Sequence, residues 1–151
     1  MKVAKFGFIT LVVSTLSACS SPGPMQTMQG PLNTPVFEPV AIHTVKDGSS
    51  SVLFKEWTTM YENQELKLWG VFFITQNGAY MANWDSRSYE YNLRYRIDPS
   101  DISSISEETV ERSMWIDSDL LVITDHNGHE VGFALNGKNA ARSFLQNIGG
   151  E

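Results

Sequence analysis

Two of the three Asn-Gly dipeptides, Asn77-Gly78 and Asn127-Gly128, constrain what this chain can fold into more than any other feature. Each separates two short runs of β-branched, aromatic and aliphatic residues: 69–75 and 79–84 around the first, 120–124 and 130–135 around the second. Such a dipeptide supplies the positive φ angles of a two-residue type I′ turn, so both regions are expected to be β-hairpins. Between them, residues 89–97 alternate. Tyr89, Tyr91, Leu93, Tyr95 and Ile97 fall on one face, and Glu90, Asn92, Arg94 and Arg96 on the other. That is the period of a half-buried strand, and Asp98-Pro99-Ser100-Asp101 ends it with turn chemistry.

Further along, Ile102 and Ile105 are expected to be buried, with a weaker strand over 109–116 and a turn at Asp117-Ser118-Asp119. Residues 40–45 read as a strand. Residues 52–61 fit two readings: Leu53, Trp57, Met60 and Tyr61 fall at helical spacing, which favours a helical turn or short helix, while Val52-Leu53-Phe54 would also suit a strand. The last element is an amphipathic helix over 138–147, with Ala140, Ala141, Phe144, Leu145 and Ile148 on one stripe. Asn136 is placed to cap its start, and Gly149-Gly150 to stop it.

The predicted fold is therefore mainly β (α+β): a strongly bent antiparallel sheet, or partly open barrel, of six or seven strands with a C-terminal helix. This arrangement resembles the pleckstrin-homology-like superfold, in particular its GRAM-like and bacterial versions. The resemblance runs from Trp69 to Ile148 and is carried by pattern: Gly70-Val71-Phe72-Phe73-Ile74-Thr75 before Gly78, Asp101-Ile102-Ser103-Ser104-Ile105, and Leu120-Leu121-Val122-Ile123-Thr124 before Gly128 and Phe133. In that family the helix plugs one open end of the bent sheet, and the first strands often bind a lipid head group or peptide through basic residues. The first hairpin here has no lysine or arginine cluster, which argues against phosphoinositide-type binding.

The N-terminus carries a different signal. Lys2 and Lys5 precede an uncharged run, residues 6–18, of the length of an export signal and too short to span a bilayer. Leu16-Ser17-Ala18-Cys19 resembles the lipobox of bacterial lipoproteins. That resemblance implies cleavage before Cys19, diacylglycerol on its thiol and an acyl chain on the new amine. Ser20 in place of aspartate implies sorting to the outer membrane, at its periplasmic face, rather than retention at the inner membrane. Cys19 is the only cysteine, so no intramolecular disulfide is available to the chain. Residues 1–18 are thus expected to be a signal peptide, 19–39 a lipidated N-terminus and tether, and 40–151 one globular domain. Five of the six prolines, Pro22, Pro24, Pro31, Pro35 and Pro39, fall in the tether, which if extended could reach roughly 65 Å.

Charge narrows the partners. The chain carries 11 Lys+Arg against 17 Asp+Glu, a formal charge of −6, and loss of Lys2 and Lys5 would deepen it. An acidic domain is a poor fit to nucleic acid or to anionic lipid through a basic patch. No nucleophile elbow and no phosphate-binding loop occurs. The acid pairs Glu107-Glu108 and Asp117/Asp119 fall in predicted turns, where carboxylates are solvated. His126 and His129, flanked by Asp125 and Glu130, are weak candidates for a metal site, since their spacing matches no zinc pattern. No enzyme activity and no cofactor beyond the lipid on Cys19 is expected.

The remaining candidate surface is aromatic and basic: Trp84, Tyr89, Tyr91, Arg94 and Arg96. Large rings and arginines are favoured at binding surfaces. The expected function is a non-catalytic, membrane-anchored periplasmic module that binds an envelope protein through a sheet edge or the sheet–helix groove. The alternative is a carrier that holds a small apolar ligand or lipid among Phe72, Tyr80, Trp84 and Tyr91. A metal-dependent hydrolase using His126 and His129 is the third and weakest reading.

Overall fold

The computed structural model describes Gly23, residues 37–111 and residues 118–149. Cys19, and most of the expected tether, lie outside the described residues. So does most of the strand expected over 109–116, together with Asp117.

Among the described residues, seven antiparallel strands form one sheet in the order β4-β3-β2-β1-β7-β6-β5. They are β1 (Phe54–Glu62), β2 (Glu65–Ile74), β3 (Ala79–Asp85), β4 (Glu90–Ile97), β5 (Ile102–Val110), β6 (Ser118–Asp125) and β7 (Glu130–Phe133). Helix α1 (Phe37–Val45) precedes them and α2 (Lys138–Gly149) follows; a 3-10 turn, Pro99–Asp101, joins the two edge strands β4 and β5. This is the mainly β architecture with a closing helix that the sequence predicts, and it is consistent with a pleckstrin-homology-like fold.

The sheet buries two faces. Met60, Phe72, Ile74, Met81, Ile97, Leu121, Ile123 and Phe133 line one, and α2 closes it with Ala141 and Leu145. On the other face, α1 lays Phe37, Ala41 and Val45 over Val71, Phe73, Tyr80, Ala82 and Tyr91. Strands β2 and β3 lie between the two helices. That is why Val71-Phe72-Phe73-Ile74 and Ala79-Tyr80-Met81-Ala82 are buried without a break.

Two elements differ in type from the sequence reading. Residues 40–45 are helix, not strand, and the element starts at Phe37, three residues before the expected domain boundary. Its Pro39 falls in the first helical turn, where no intrahelical N–H is needed, and Phe37, Ala41 and Val45 make a buried i, i+4, i+8 stripe. The segment expected as a short helix within 52–61 is strand β1. It runs centrally between β2 and β7, so residues on both its faces are buried and two-residue alternation disappears.

The turns also differ. Neither Asn77 nor Gly78 has a positive φ; Thr75 N–H donates to the Gly78 carbonyl at 2.9 Å, which closes a longer loop. In the second hairpin only Gly128 is left-handed, at φ 81°, after a turn closed by Gly128 N–H on the Asp125 carbonyl. The paired positive φ angles of a type I′ turn occur instead at Asn63 (52°) and Gln64 (62°), which join β1 to β2. The expected turn at Ser118 and Asp119 is the start of β6, and Glu107-Glu108 lies on β5. Ile102 and Ile105 are half-buried rather than buried.

The start of α2 is capped from across the molecule. Glu56 Oε1 accepts from the Asn136 backbone N–H at 2.6 Å and from Asn136 Nδ2 at 2.9 Å, and Oε2 accepts from Gly137 N–H at 2.9 Å. Asn136, expected to cap the helix with its own side chain, therefore acts as a donor to Glu56.

Candidate functional site

Strand β4 decides how the candidate residues are shown to solvent. Its pairing with β3 shifts register between Met81 and Ala82: Met81 faces Tyr95, but Ala82 faces Leu93, so Arg94 is an extra residue. A bulge of this kind inverts the alternation on its far side. Tyr95 and Ile97 accordingly pack with the α2-side cluster, whereas Tyr91 packs with the α1-side cluster. The single tyrosine face expected for 89–97 is therefore split. Tyr89, expected on that face, is 76% exposed and precedes the strand at φ 57°. Nor do the two arginines act as a pair. Arg94 Nε donates to Asn83 Oδ1 at 2.9 Å, while Arg96 binds Asp98 at 3.0 Å and lies over the Tyr80 ring.

The same bulge brings Arg94 and Arg96 to a cleft shared with His126 and His129. About 420 Å³ in volume, it is also lined by Glu62, Tyr95, Asp101 and Asp125. His126 Nε2 lies 3.0 Å from the Ser100 carbonyl. Asp125 accepts the backbone N–H groups of His129 and Asn127, which hold its carboxyl below the usual range. Tyr95 contributes a buried hydroxyl with no hydrogen-bond partner among the described residues; burial, and then the charge of Asp125, pushes its phenol up. Among the described residues, no group of three or more His, Cys, Asp or Glu is disposed to hold a metal ion.

The aromatic candidates form a separate corner. Trp84 stands edge-on to Tyr91 (centroids 5.0 Å apart) and to Tyr89 (6.4 Å), and Tyr91 stands edge-on to Phe37 (5.5 Å). Tyr89 and Tyr91 also wall an open cleft of about 520 Å³ against Pro39, Val40 and His43 of α1. Gly23 lies directly against the Trp84 ring. The four residues considered for an apolar ligand do not surround one space. Phe72 belongs to the α2-side cluster, and Tyr80, Trp84 and Tyr91 to the α1-side cluster, where Phe37 packs edge-on against Tyr91.

A third surface supplies residues for the sheet edge and sheet–helix groove that were expected without any being named. Among the described residues β5 is a sheet edge, bonded only to β6, and its first half, Ile102-Ser103-Ser104-Ile105-Ser106, carries no charge. Ile102 and Ile105, with Leu145 and Gln146 of α2, line a groove of about 260 Å³ beside it. The signal in the sequence is the uncharged run itself, since exposed edges are normally blunted by charge or proline.

A polar cluster at the end of α1 escaped sequence reasoning. Asp47 Oδ2 accepts from the hydroxyls of Thr75 (2.6 Å) and Tyr80 (2.7 Å), and Oδ1 from Ser49 N–H (2.8 Å). Burial alone would raise the Asp47 carboxyl, but these donors outweigh it and hold it below its ordinary value. The cluster fastens α1 to the β2–β3 turn.

No protein-family model matches this sequence, and no curated protein matches it. Solved structures do. One is the C-terminal domain of an unknown protein from Leishmania infantum, with a TM-score of 0.51 at 14% identity over 74% of this chain and 93% of that one. Another is Vav1 bound to an allosteric inhibitor that blocks its GEF activity, with a TM-score of 0.52 at 7% identity over 74% of this chain. The match spans 32% of the Vav1 chain. At these identities the likeness is one of fold.

Proposed function

We propose that the chain is a bacterial lipoprotein, anchored through Cys19 at the periplasmic face of the outer membrane, whose domain is a non-catalytic module that binds an envelope protein. The partner docks as an added strand along β5 and places side chains in the groove against α2. The observation that supports this reading is the uncharged, half-apolar edge from Ile102 to Ser106 beside Ile105 and Leu145. Strand addition draws affinity from main-chain hydrogen bonds and specificity from pockets for alternate side chains, and this edge offers both.

The test is site-specific photo-crosslinking in intact cells. A photoreactive residue in place of Ser104 is expected to trap a discrete protein adduct, and one in place of Lys67 is not. Ile105→Glu, which puts a charge in the groove, should abolish the adduct while the purified domain keeps a cooperative melt. Equal labelling at both positions, or an adduct that survives Ile105→Glu, would rule out the β5 groove. Acylation of Cys19 is read independently from the mass of the N-terminal peptide.

A further inference from the structure

We infer that the Trp84–Tyr89 corner retains the stretch that follows Cys19 and lies against the lipid surface. The domain then sits flush with the membrane instead of at the end of an extended spacer. The inference rests on the lipid anchor proposed above.

The first observation is the fit of Gly23 on Trp84. Gly23 has φ 66°, and a Cβ built on it would lie 2.5, 2.6 and 2.8 Å from three atoms of the indole. Only a glycine can bring its backbone this close to the ring. Trp84 is joined through Tyr91 to Phe37 by two edge-to-face contacts, so Gly23 caps a continuous aromatic stack that ends in α1. Both Gly23 and Phe37 are thus fixed to the same side of the sheet.

The second is chain length. Cys19 precedes Gly23 by four residues, which span at most about 14 Å. With Gly23 on Trp84, acyl chains on Cys19 must leave the protein within about that distance of this corner.

The third is what the corner presents. Tyr89 is 76% exposed in a left-handed conformation that a tyrosine rarely adopts, and its ring stands against Trp84. The turn between them, Ser86-Arg87-Ser88, is exposed and carries a single cation, flanked by Glu90 and by Asp85, whose carboxylate accepts the Arg87 N–H at 2.8 Å at the surface. Tryptophan and tyrosine favour the membrane–water boundary, where an apolar ring and a polar tip are both accommodated. The occupant of this surface is therefore the head-group region of the bilayer to which the anchor belongs, and its attraction does not depend on anionic lipid.

The experiment uses the full lipidated chain in phosphatidylcholine vesicles. Cys19 is the only native cysteine and its thiol is blocked once acylated, so introduced cysteines can be spin-labelled selectively. Labels at Ser21→Cys and Arg87→Cys should give one narrow distance distribution, which Gly23→Val broadens and lengthens. A single label at Arg87→Cys should show the oxygen-rich, nickel-poor accessibility of the bilayer boundary, whereas one at Gln146→Cys stays water-like. A broad distance distribution in the parent protein, or water-like accessibility at both positions, overturns the inference. An unmodified Cys19 in the mass spectrum overturns the anchor itself, and is distinguished from failure of the Gly23–Trp84 clip by the distance measurement.

Discussion

Glu56 and Asn136, from opposite ends of the domain, share one carboxylate oxygen: Glu56 Oε1 accepts both the backbone and the side-chain N–H of Asn136. With Gly137 N–H on Oε2, a β1 side chain satisfies donors at the start of α2 that the helix cannot satisfy itself. Glu56→Gln exchanges one acceptor for a donor facing those N–H groups. It is expected to lower unfolding free energy by about 1.5–3 kcal/mol. Urea denaturation measures the loss; a change within error would mean α2 is held by its apolar face alone.

The Asp47 cluster predicts a pH dependence. Its carboxyl is depressed in the folded state, so its contribution is fully present above the unfolded-state value of about 3.9. It is lost as pH falls through the lower folded value. Asp47→Asn should therefore cost about 1–2 kcal/mol at neutral pH, where the buried Thr75 and Tyr80 hydroxyls lose an ionised acceptor. The gap between variant and parent should narrow steadily below about pH 4. Midpoints of denaturation at a series of pH values report it, and a gap constant down to pH 2 would exclude this role.

The bulge at Arg94 separates two kinds of change in β4. Truncation, Arg94→Ala, removes an exposed hydrogen bond to Asn83 and should change stability by no more than about 0.5 kcal/mol. Deletion of the residue removes the bulge but keeps the pairs Met81–Tyr95 and Ala82–Leu93, so Tyr91 and Leu93, and Tyr95 and Ile97, hold their faces on a regular ladder. Deletion of Asn92 instead leaves the bulge in place and shifts the start of β4 by one step, which turns Tyr91 away from the α1 side. Cooperative unfolding, followed by urea denaturation, should be kept in the Arg94 variants and weakened in the Asn92 deletion.

Tyr95→Phe removes a buried hydroxyl that finds no partner among the described residues. Removing an unsatisfied polar atom without changing shape is expected to be neutral or to stabilise by up to about 1 kcal/mol. A thermal melt that drops by several degrees would show that the hydroxyl is bonded in solution.

How far the sequence reveals this molecule depends on how many faces each element buries. Strands β2, β3, β6 and β7 are legible because apolar runs are cut by turn residues, and α2 because one stripe is apolar and the rest polar. Strand β1 is not. Trp57, Met60 and Tyr61 are packed on different sides of a central strand, and their spacing imitates a helix. Helix α1 is hidden for the converse reason: Val40, Ile42, Thr44 and Val45 are β-branched, and only contact with β2, β3 and β4 overrides that preference. The alternation of 89–97 is correct in period yet misassigns faces, because a bulge is a property of pairing rather than of one strand. The candidate residues could be picked by type. That Arg94 and Arg96 meet His126 and His129, or that Gly23 meets Trp84, depends on tertiary contacts that no local pattern encodes.

The narrow junction between β1 and β7 has a kinetic consequence. β1 is paired with β2 along nine residue pairs, but with β7 only at Met60–Phe133, Tyr61–Gly132 and Glu62–Val131. The meander β1–β4 and the unit β5–α2 can each gain most of their pairings locally. Joining them means closing a loop across half the chain for three rungs of ladder. Such non-local closure is the slow step of β-rich domains, and it places folding in the millisecond-to-second range. Until the two halves meet, the edge that β1 offers to β7 stands open, and the half-folded molecule is liable to pair with other chains through it.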